Sequence, residues 1–146
     1  MSQRDVLDKF GDRVGYSPAE KAEFKEGDPR LRHMEGLARA APLFSILAEV
    51  VKARHCSSGY QVGDRFVLDV DGNFITKLCP KKLCIYAISQ MVLPVALICE
   101  RLGEGLDPRA FHFGHQVRCP DVGVECAGYG VSCIMRASPL HMEVKR

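Results

Sequence analysis

A chain of 146 residues with 47% apolar side chains is long enough to enclose one ordinary hydrophobic core and too short for two. Its 20 Lys and Arg stand against 18 Asp and Glu, a formal charge of +2, and the basic residues are scattered, which excludes the footprint that a phosphate backbone selects; no nucleic-acid partner is expected. The longest apolar run, "MVLPVALIC" at 91–99, is about half of a bilayer span and carries Pro94, so no membrane partner is expected either.

Residues 1–16 alternate charges with single apolar positions and hold no continuous apolar stretch of the secretory type. Seven cysteines, an odd number, behind such a start point to reduced thiols in the cytoplasm rather than to a disulfide framework. Ser17-Pro18-Ala19-Glu20 is a capping-box signature that predicts a short helix to about Lys25. Asp28-Pro29 repeats the start signal, and Leu31, Met34, Leu37 and Ala41 then recur at helical spacing until Pro42. This divides the chain into a helical N-terminal extension, 1–42, and a single α+β cysteine-containing domain, 43–146. An amphipathic N-terminal helix of this kind packs on its own domain or clasps another chain, and the second option is the expected one: a homo-oligomer, or attachment to a larger enzyme subunit.

Past residue 43 the β-branched stretch at 45–55, ending in "CSSG", reads as a strand, and "RFVLDV" before the Asp71-Gly72 turn reads as another. Ile85, Ile88, Met91, Val92, Val95, Ile98 and Leu102 predict one helix over 83–102, kinked at Pro94 and stopped by Gly103. Alternation at 111–119 and 129–136 predicts two more strands. The expected fold is α+β: a small, mainly antiparallel sheet packed against one long kinked helix.

On that map Cys56, Cys79 and Cys119 all stand at the ends of elements, where distant segments of a chain converge at one edge of a sheet. Three or four thiolates are the ligand set of zinc or of an iron-sulfur centre, so these three, joined by Cys126, are the expected metal ligands, with Zn the expected metal. Cys126 is preferred as the fourth because the glycine-rich "ECAGYG" loop can bring it close; Cys84, His115 and His55 are the alternatives. No C-x-x-C pair is present. Cys99 and Cys133 are expected in the core. His115 shares a strand face with Val117 and Cys119, and a lone histidine there is more often a hydrogen-bonded core residue than a ligand. Asp64 and Asp121 read as turn-capping residues, or as a general base beside a metal-bound water if the protein is an enzyme. Nucleotide-binding and acyl-transfer motifs are absent, and the catalytic residues, if any, are not marked.

The stretch from about 49 to 137 resembles a family of short, largely uncharacterised cysteine-containing proteins of mainly anaerobic bacteria and archaea. Cys56, "GYQVGDRFVLD", Cys79-Pro80 ahead of the long helix and Cys119-Pro120-Asp121 carry the resemblance. A histidine commonly stands in that family where Tyr60 stands here. The resemblance implies a common fold and thiol trio and an anaerobe-type cytosol, without an activity. The resulting expectation is a metal-binding accessory protein or small subunit of a larger enzyme complex; the alternative is a small metal- or thiol-dependent lyase or redox enzyme.

Overall fold

The computed structural model describes residues 1–127 and 131–141. Among these residues five α-helices, α1 (Gln3–Val14), α2 (Pro18–Ala22), α3 (Pro29–Ala40), α4 (Ile85–Gln90) and α5 (Val92–Gly103), accompany four strands, β1 (Phe44–Arg54), β2 (Arg65–Leu68), β3 (Gln116–Arg118) and β4 (Val131–His141). The strands form one antiparallel sheet in the order β2-β1-β4-β3, so the α+β expectation holds. The expected strand at 111–119 contracts to three residues. The last strand begins at Val131, and the glycine-rich stretch 128–130 before it lies outside the described residues.

Period-two alternation decides which side of the sheet is covered. Ile46, Ala48 and Val50 of β1, Phe66 and Leu68 of β2, and Met135 and Ala137 of β4 are all buried. The register sets Ile46 opposite Leu68, Ala48 opposite both Phe66 and Ala137, and Val50 opposite Met135, so these seven side chains pave a single face. Toward one end of that face Ala87, Met91 and Tyr60 complete a first cluster. Toward the other, Ile98 and Leu102 of α5 join Val70 and Ala40 in a second.

The covering helix is two helices. α4 ends at Gln90 and α5 restarts at Val92, so the break falls at Met91, three residues before the expected kink at Pro94. Pro94 is the cause. It has no N–H to donate to the Gln90 carbonyl, and its ring crowds that same carbonyl, so the ladder breaks one turn upstream and Pro94 falls in the first turn of α5, where no intrahelical donor is required.

Both expected N-terminal helices form with the expected caps: Ser17 and Glu20 close a reciprocal capping box and Asp28 accepts from the Arg30 amide. A second box, Ser2 with Asp5, starts α1, which the charge alternation of residues 1–16 had concealed. The apolar stripe of α3 lies against α5 of the same chain. Leu31 and Ala40 are buried, Leu37 packs on the second cluster, and Ala41 is exposed, so the stripe closes one residue earlier than its spacing suggested. Close approach is made by two glycines: a Cβ at Gly36 would collide with the Gly103 carbonyl, and one at Gly103 with the His33 ring.

Candidate thiol site

Cys56 reaches the core because β1 does not end cleanly. Its pairing with β4 shifts register between Val50 and Lys52 and again between Lys52 and Arg54, and His55 then takes a left-handed conformation (φ 53°), rare for a residue with a Cβ. The chain is thereby turned back on itself, leaving His55 exposed and Cys56 packed on the first cluster. Cys79 follows a 3-10 turn over Thr76–Leu78. Its sulfur accepts from the Val67 N–H at 3.4 Å and lies 3.5 and 3.4 Å from the Val67 and Ile75 carbonyls, either of which accepts its S–H. Cys119 directly follows β3. Val117, paired with Met135, and Cys119 two residues on both pack on the first cluster, as strand alternation requires.

A fourth thiol joins them, and it is Cys84. It too packs on the first cluster, where it caps the N-terminus of α4. Tyr60 sets its position: the hydroxyl donates to the Lys82 carbonyl at 2.7 Å and accepts from the Cys84 N–H at 2.8 Å, while the ring stands edge-on to Phe66 at 5.3 Å. Burial raises the Cys84 thiol pKa, but the Ala87 amide, the Ser58 hydroxyl and the Tyr86 amide together lower it by more, so it falls below the ordinary cysteine value. The sequence marked Tyr60 only as a departure from the resembled family's histidine, because a clamp between residues 22 and 24 positions apart has no local signature.

Cys126, the expected fourth ligand, is exposed at the end of a 3-10 turn over Val124–Cys126 and does not pack on the cluster. Cys99 belongs to the second cluster, donates to the Val70 carbonyl at 3.2 Å, and has its pKa pushed up to about 11 by burial and by the charges of Asp71 and Asp69. Cys133 stands in β4. His115 stacks on the Phe111 ring and hydrogen-bonds the Phe111 carbonyl. Asp64 accepts from the Gln61 amide and Asp121 from the Gly123 amide, both at 2.9 Å, which is the turn-capping geometry.

Comparison with models of protein families, with curated proteins and with solved structures finds no match to this chain.

The chemistry available is therefore that of four thiols, from segments centred 23, 5 and 35 residues apart in sequence, gathered around one apolar cluster. Among the described residues no three His, Cys, Asp or Glu side chains stand close enough together to hold one metal ion. No described helix is long and apolar enough to cross a membrane.

Proposed function

We propose that the protein is a cytoplasmic metal-binding accessory protein, or the small subunit of a larger enzyme complex, whose thiols hold zinc. The observation that carries this reading is the convergence of Cys56, Cys79, Cys84 and Cys119 on one cluster. Four thiols from separate segments are more than packing of a single core needs, and thiolate sets of this kind suit zinc or an iron-sulfur centre. Cys84 replaces Cys126 as the fourth ligand in this reading. Three of the four sit on loop segments just past a strand or a 3-10 turn, where drawing sulfurs together on an ion displaces little ordered backbone. The thiol trio is also what carries the resemblance to the anaerobe family.

Metal analysis of anaerobically purified protein tests it. One equivalent of zinc is expected, with Cys119→Ser and Cys56→Ser lowering both bound metal and the thermal midpoint, and Cys99→Ser releasing none. Iron with sulfide in place of zinc assigns the cluster instead. Less than about a tenth of an equivalent of any transition metal overturns the reading.

One observation favours a second reading, a thiol-dependent enzyme: the Cys84 thiol is more acidic than an ordinary cysteine. Alkylation of Cys84 well ahead of the other thiols near neutral pH, in metal-free protein, would support it.

A further inference from the structure

The apolar stripe of α3, expected to dock on another chain, packs against α5 of the same chain, whereas α4 and α5 carry a second apolar face that is exposed. Their inner side, Ala87, Met91, Pro94, Ile98 and Leu102, is buried on the sheet and against α3. On the outer side Ile85, Val92 and Leu93 are 66%, 69% and 45% exposed, with exposed Ser89 between the first two and exposed Ala96 one turn beyond the last. Positions 85, 89, 92, 93, 96 and 100 recur at helical spacing, and Met91 keeps right-handed helical angles (φ −75°, ψ −15°), so the break leaves one continuous stripe about 22 Å long. Tyr86 widens it on α4. A Cβ at Gly114 would touch Leu93 and Leu97, so this loop lies beside α5, and its neighbour Phe113 is 75% exposed. A helix pair apolar on both sides is the pattern of a buried element.

Charge along the stripe selects what covers it. No Asp or Glu occurs from residue 74 to 99; Lys81 and Lys82, both exposed, stand just before α4, and Glu100, whose side chain is 70% exposed, closes the far end. Its neighbour Glu104 is held by Arg32 at 2.9 Å, whereas among the described residues Glu100 has only His33, at 3.8 Å. The stripe thus runs from positive through apolar to negative. Laid against an identical stripe in the opposite direction, it brings the lysines of each copy to Glu100 of the other and apolar side chains together in the middle, the self-complementarity that a two-fold interface requires. A parallel arrangement would oppose like charges.

We infer that the outer face of α4 and α5 is the contact between two copies of this chain, paired antiparallel about a two-fold axis. This goes beyond the proposed function and does not depend on the metal. Sedimentation velocity of the full chain, with light scattering, tests it. Wild type is expected to be a dimer. Val92→Glu, at an exposed position, should give a monomer whose circular dichroism and bound metal are unchanged. Glu100→Lys and the pair Lys81→Glu with Lys82→Glu should each weaken the dimer about tenfold, and all three together should restore it. A monomeric wild type at about 100 µM, or a dimer that survives Val92→Glu, overturns the interface; a combined charge reversal that fails to rescue overturns the antiparallel pairing. Metal content, measured in the same samples, separates these outcomes from failure of the zinc reading.

Discussion

Cys99 and Cys84 are chemically the same group in opposite surroundings. The Cys99 thiol, partly buried against the Val70 carbonyl with Asp69 and Asp71 nearby, is raised to about 11 from an ordinary 9.0. The folded state therefore holds its proton more tightly than the unfolded chain does. The stabilisation is fully present below about pH 9 and is lost as pH rises through about 11. Thermal midpoints followed across that window should fall more steeply for wild type than for Cys99→Ala, and identical slopes would show that the group does not titrate this way. Tyr60 tests the other thiol. Tyr60→Phe keeps the ring against Phe66 but removes both the donor to Lys82 and the acceptor for the Cys84 amide, so denaturant unfolding should show a loss of about 1–3 kcal/mol. A loss below about 0.5 kcal/mol would mean that water takes over both bonds.

At the scale of elements, the break between α4 and α5 makes a sharp claim about Pro94. Within one continuous helix, replacing proline by alanine would stabilise by about 3 kcal/mol. In the first turn of α5 that gain is absent, and Pro94 is fully buried, so trimming it to alanine removes packing. Pro94→Ala is therefore expected to leave stability unchanged or lower it slightly. A gain of about 2 kcal/mol or more in denaturant unfolding would show that the two helices are one strained helix. The docking of α3 on α5 rests on Gly36 lying against the Gly103 carbonyl. Backbone there cannot swing aside like a side chain, so Gly36→Ala should cost about 1–3 kcal/mol even though alanine favours the helix by about 1 kcal/mol. Unchanged or increased stability would mean that the helices slide apart freely.

For the molecule as a whole, residues 1–42 are joined to the rest by core packing rather than by a tether. Leu37 and Ala40 complete the cluster formed by Ile46, Leu68, Val70, Ile98, Leu102 and Ala137, and Arg32 reaches Glu104 while Arg13 reaches Asp71. Both ion pairs are largely exposed and contribute little; the apolar contact is what matters. Removing residues 1–42 is expected to cost on the order of 3–6 kcal/mol, enough to abolish cooperative unfolding or to expose dye-binding apolar surface. A truncated chain that still unfolds cooperatively at the full-length midpoint would mean that 43–146 is self-sufficient, as its composition alone suggests.

What the residues themselves determined was local. Strand alternation, the Ser17 and Asp28 caps and the helical spacing of 85–102 act over a few positions, so the α+β class and the approximate places of four strands and three helical segments could be read from the text. Caps are legible because one side chain meets an amide two or three residues away; α1 is not, because its charges hide a narrow apolar side, Val6 and Leu7, that only burial against the rest of the chain reveals. Cys56, Cys79 and Cys119 were legible as a group because each ends an element. The packing of Cys84 rather than Cys126 on the first cluster, the Tyr60 clamp, and the packing of the α3 stripe on α5 of the same chain are features that only the tertiary structure brings out. Each depends on contacts between segments far apart in sequence, where which surfaces meet is settled by the packing of the whole chain and not by the preferences of any one stretch.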